Sequence, residues 1–151
     1  MWLRFLVIAA LITLPWNIPV AKAQEIPLVR VVDAGTVDPC QSRIIAKSSF
    51  AIGITTDTQL VALSGTTVIY VCGFSAVVTG TTPTFQFVYG TGTICATGQT
   101  SLTGAYNPTA GGTVVYGPGS TIFRTTAGQA LCMVTTGTSP VVRGVVTYVQ
   151  Q

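Results

Sequence analysis

The sequence predicts an all-β fold, a two-sheet antiparallel sandwich of about eight short strands with jelly-roll-like connectivity, stapled by disulfides. Three observations predict it. From Ser49 onward the composition turns to Thr, Val and Gly, with 23 of the chain's 25 Thr after Ile54, and Thr and Val favour strands. Turn-forming residues recur about every ten positions, the spacing of short strands joined by turns. No window carries the 3.6-residue apolar period of a helix.

The first element is a targeting segment. Met1 to Arg4 gives a basic start, residues 5–14 are apolar except for Thr13, and Pro15 precedes the small-residue site Ala21, Lys22, Ala23. This is the pattern of a secretory signal peptide over residues 1–23. This ten-residue run reaches about half of the ~20 that a membrane helix needs, so no membrane span is expected after cleavage. Residues 24–48, with Pro27, Pro39 and most of the charge, read as an extended N-terminal arm. The sandwich domain is expected over residues 49–151.

Strand candidates within it are residues 50–55, 59–63, 67–79, 84–89, 113–116, 121–124, 129–135 and 141–150. In 84–89 the aromatics Phe85, Phe87 and Tyr89 share one face, because alternate strand residues point to opposite sides. In 67–79 both alternations are apolar. Strict alternation puts Val68, Tyr70, Cys72, Phe74, Ala76 and Val78 on one face and Ile69, Val71 and Val77 on the other. A sandwich covers one face, so Ile69, Val71 and Val77 are expected at or beside a subunit contact, or else beneath the N-terminal arm or the 90–112 loop.

Residues 79–83 and 137–140 carry Gly, Thr and Pro and read as hairpin connections. Residues 90–112 read as a long Gly/Thr-rich loop, a length that in compact domains is functional or stapled. Cys95 inside it favours the staple.

All four cysteines, Cys40, Cys72, Cys95 and Cys132, follow the signal peptide, and export places thiols where they oxidise. Two disulfides are expected. A metal site would need closely spaced pairs, and the chain has no His to complete one. The spacing leaves three connectivities open. Cys40–Cys72 with Cys95–Cys132 is favoured because it ties the arm and the long loop separately.

The charge pattern excludes several functions. After cleavage five cations (Arg30, Arg43, Lys47, Arg124, Arg143) face four carboxylates (Glu25, Asp33, Asp38, Asp57), a net charge of +1. No basic cluster exists for nucleic acid or for an anionic membrane surface. With no His, and no carboxylate after Asp57, neither a Ser-based nucleophile nor a carboxylate pair has the partners it needs. The chain is therefore expected to be non-enzymatic and free of cofactors. Tyr106 and Tyr116, at a loop and a strand end, are the residues that remain as ligand contacts, and a glycan stacked on them is the alternative function.

Four runs carry a resemblance: Gly90 to Gly98 (GTGTICATG), Leu102 to Gly104 (LTG), Ala127 to Cys132 (AGQALC) and Gly144 to Tyr148 (GVVTY). In that order they make residues 49–151 similar to small β-sandwich structural proteins of bacteriophage and phage-derived bacterial DNA. The resemblance implies a virion-associated or bacterial surface role and brings no catalytic residues. Together these readings predict a secreted structural protein, in the periplasm, outside the cell or on a cell or virion surface. It is expected to associate with itself, and its other partners would be surface or virion proteins or glycan.

Overall fold

The computed structural model describes residues 38–151; the expected signal peptide and residues 24–37 of the arm lie outside the described residues. Within them the chain is all-β. Its seven strands are β1 (Ser48–Ile54), β2 (Thr58–Val61), β3 (Ile69–Thr91), β4 (Thr97–Ser101), β5 (Thr113–Tyr116), β6 (Phe123–Arg124) and β7 (Ala130–Gln150), with one 3-10 turn at Thr93–Cys95. All pair antiparallel in a single hydrogen-bonded sheet.

Two long strands organise it. β3, of 23 residues, and β7, of 21, pair from Ile69–Gln150 at one end to Gly90–Ala130 at the other. β1 flanks the late half of β7, and β5 and β6 flank the early half of β3. At the other end β2 flanks early β7 and β4 flanks late β3. The strands expected at 67–79 and 84–89 are thus halves of β3, and those at 129–135 and 141–150 are halves of β7.

The segments expected to be hairpin connections do not reverse the chain. They lie opposite one another, Thr81 against Thr138 and Thr84 against Thr136, where the register shifts. Their turn residues bend the ribbon instead. Gly80 (φ 125°) and Gly137 (φ 110°) take conformations closed to most side chains. A Cβ on Gly80 would lie 2.7 Å from the Ser139 carbonyl oxygen, and one on Gly137 2.6 Å from that of Thr82.

One core joins both halves. Ile52, Val71, Phe74, Val142 and Val146 from one half pack in the same cluster as Leu60, Phe85, Phe87, Leu131 and Met133 from the other. Where two sheets were expected, the structure has one sheet whose halves share a core.

The face reading of 67–79 fails at Cys72. Val71 pairs with Tyr148 and Gly73 with Thr147, so Cys72 is an extra residue on β3. Such a bulge flips every later side chain to the other face. Ile69 and Val71 therefore share the core with Phe74, Ala76 and Val78, and both are fully buried within one chain. They are no subunit contact. Val77, beyond the bulge, points outward and is 41% exposed.

The stretch 90–112 is likewise more than a loop. It holds the 3-10 turn, β4 and a bridge from Tyr106 to Phe85. The disulfides are Cys40–Cys72 and Cys95–Cys132, the favoured pairing. Both lie outside the main core. Cys40 and Cys72 cluster with Val149, Tyr70 and Ile45, and Cys95 and Cys132 with Val88, Ala130 and Val134. Each fastens a peripheral segment over the outer surface of one half: residues 38–47 on the first, the 3-10 turn on the second.

Candidate interaction face

The outer surface of the β1–β7–β3–β5 half is built by alternation. Ile52, Val146, Phe74 and Val114 point to the core, so Ala51, Val145, Ser75 and Val115 point away. The register sets these four in one row across the sheet, and Gly53, Arg143, Val77 and Thr113 in the next. Val115 is 63% exposed and Val145 39%, with Ser75 between them in the row; Val77 follows in the next row between Arg143 and Thr113. Covering these valines would contribute about 1 kcal/mol each.

A depression of 190 Å³ opens on this surface, lined by Gly73, Ser75, Val115, Gly117, Pro118 and Val145 among others. Gly73 lies beneath the backbone of the β5 exit, since a Cβ there would stand 3.2 Å from the Pro118 nitrogen and the Tyr116 carbonyl oxygen. Small-molecule sites usually span about 300–1,000 Å³, so this hollow suits a side chain rather than a sugar. Two wider and more polar hollows lie elsewhere. One, of 440 Å³, is lined by Thr55, Thr56, Asp57, Ile94 and Thr135 among others; the second, of 350 Å³, by Tyr89, Arg124, Thr125 and Thr126 among others.

The cover over this half is held by Asp38. Its carboxylate accepts hydrogen bonds from the Thr121 hydroxyl, from the Thr121 N–H at 2.6 Å and from the Cys40 N–H at 2.9 Å. Burial pulls the carboxyl up, but these donors outweigh it and hold it below its ordinary value. The segment therefore has two ties to the sheet, this contact and the Cys40–Cys72 disulfide.

Tyr106 and Tyr116, the pair expected as ligand contacts, lie with ring centroids 6.2 Å apart. Their surroundings are aromatic. Tyr106 stacks on Phe85 at 4.9 Å and Tyr116 on Phe74 at 5.1 Å. Burial raises the Tyr106 hydroxyl above its ordinary value, and the neighbouring Tyr116 raises it further. Tyr106 is half-buried and serves the core, while Tyr116 stays 45% exposed at the rim of the hollow. Sequence reasoning misses Val115 and Val145 because each belongs to a Val-Val pair, and only register decides which member points outward.

Among the described residues no three His, Cys, Asp or Glu side chains converge, and no helix is long and apolar enough to cross a membrane. Compared with known proteins, the chain matches no family model, no curated protein and no solved structure.

Proposed function

We propose that this chain is a non-enzymatic, exported structural protein that associates with further copies of itself through the Val77–Val115–Val145 face. One observation carries the reading, the contrast between the two outer surfaces. On one half the Thr93–Cys95 turn, tied down by Cys95–Cys132, covers Val88 and Ala130 and leaves Ile94 36% exposed, while Thr84 and Gln86 on the same strand are polar. On the other half the tied segment covers only the Cys72 end, and three valines stand in the open. Exposed apolar clusters of this kind mark contact surfaces. The low charge acts in the same direction, since little repulsion opposes association.

Strand order supports the jelly-roll part of the reading. Divided at their bends, β3 and β7 give four half-strands and two four-stranded layers: β1, late β7, early β3, β5; and β2, early β7, late β3, β4. This interleaving is that of two Greek keys wound together. Two disulfides fit a location outside the cytoplasm, at a cell or virion surface.

Light scattering on the secreted protein tests the proposal. The expected result is an oligomer whose mass Val115→Lys and Val145→Lys each reduce, with an unchanged melting temperature. A wild-type monomer at millimolar concentration refutes it. So does an oligomer indifferent to both substitutions. Saturable binding on a glycan array, lost in Tyr116→Ala, would instead favour the glycan reading.

A further inference from the structure

β1 is an edge strand, and its free edge differs from the other edges of the sheet. Among the described residues its backbone pairs only with β7. Exposed edges are ordinarily blunted by charge, proline, bulges or short length, because an open ladder of N–H and C=O groups recruits another strand. The remaining edges follow this rule. β2 has four residues, a register shift and Asp57 beside it. β4 has a register shift in its pairing and Gly98 at φ 63°. β5 has four residues, set between Gly111-Gly112 and Gly117-Pro118, and the two-residue β6 carries Arg124. β1 alone runs seven residues, Ser-Ser-Phe-Ala-Ile-Gly-Ile, with no charge, no proline and an unbroken register.

The geometry points to a second copy of β1 as its partner, paired antiparallel about a twofold axis at Ala51. A twofold contact must be self-complementary, and this strand is. Centred on Ala51, the register sets Ala51 against Ala51 of the other copy, Ser49 against Gly53 and Phe50 against Ile52. The outward pairs are small and uncharged. Of the inward pairs, Phe50 with Ile52 joins apolar residues of both cores and Ser48 meets Ile54; Phe50, half-buried at the edge of its own core, gains a cover. Lys47 falls opposite Thr55, so no like charges meet. The result is one β1–β7–β3–β5 layer continued across the axis, with both apolar faces on related surfaces. The inference rests on the self-association reading but uses a different surface, an edge in place of a face.

Cysteine cross-linking tests it, because the described cysteines are all in disulfides and an introduced thiol is the free one. Ala51→Cys is expected to form a disulfide-linked dimer of doubled mass under mild oxidation. Ser49→Cys and Gly53→Cys are expected to stay unlinked alone and to link when mixed; nothing lies within 4 Å of a Cβ at Gly53, so that variant fits without strain. Linking should persist in the Val115→Lys background. If Ala51→Cys does not link while the wild type is an oligomer, the edge proposal falls and the face reading stands. If the thiol of the Ala51→Cys variant resists alkylation yet does not link, another strand holds the edge and the proposal falls as well. If the wild type is a monomer and nothing links, both fall.

Discussion

Gly144 of β7 lies against the backbone of Ser75 in β3, so closely that a Cβ added to Gly144 would overlap the Ser75 carbonyl oxygen. No side-chain rotation relieves a contact with a neighbouring strand's backbone. Gly144→Ala is therefore expected to cost about 3 kcal/mol or to prevent folding, at the upper end of overpacking effects. A urea midpoint within error of wild type would contradict it.

Val71 and Val77 have the same side chain and opposite exposure, 0% and 41%. Val71→Lys would bury an unpaired charge, with an expected loss of several kcal/mol and no folded protein in secretion. Val77→Lys is expected to fold with stability within about 0.5 kcal/mol of wild type. The yield of folded protein, and circular dichroism melts where it is obtained, check the bulge directly. Equal melting temperatures would mean that Cys72 does not shift the strand.

Asp38 has a folded value below its unfolded one, so its stabilising effect is present above the unfolded value and lost as the pH falls through the folded value. The wild type is thus expected to lose stability below about pH 4. Asp38→Asn is expected to flatten that loss and to lower stability at pH 7. Melts from pH 2 to pH 7 decide it, and parallel profiles for the two proteins would assign the acid response to other groups.

The Cys95–Cys132 bond closes a separation of 37 residues and sits outside the main core. Replacing both cysteines by alanine is expected to cost about 2–4 kcal/mol and to leave the main core folded. Denaturant titration measures the first, and near-ultraviolet circular dichroism of the Phe74–Phe85–Phe87 cluster the second. Loss of that signal under native conditions would show that the staple is needed to form the core.

How far the sequence can be read depends on whether one residue's identity fixes its face. The short strand 113–116 is legible because glycine pairs bound it, and it is β5. Phe85 and Phe87 are legible because the polar residues between them leave one apolar face, and both are fully buried. Around Cys72 both alternations are apolar, so a one-residue slip leaves no trace in the pattern. The bends read as hairpins for a related reason. Gly-Thr-Pro chemistry suits a hairpin and a paired bend equally, and only a partner segment with the same chemistry, as 79–83 and 137–140 have, separates the two. Tying the arm and the loop separately sets aside only Cys40–Cys95; which strand cysteine takes which segment is decided by the fold, as Cys40–Cys72 and Cys95–Cys132.

β7 is the middle strand of both halves, yet the ribosome makes it after every strand it joins; Ser48 waits for Tyr148, and Thr58 for Met133. Neither half can zip shut on a nascent chain that lacks it, so β1 and β2 stay without a partner strand until β7 is made, while β4, β5 and β6 have only β3. Such non-local pairing folds slowly, in roughly milliseconds to seconds. Closure of both halves is thereby postponed to the synthesis of β7 by the topology itself.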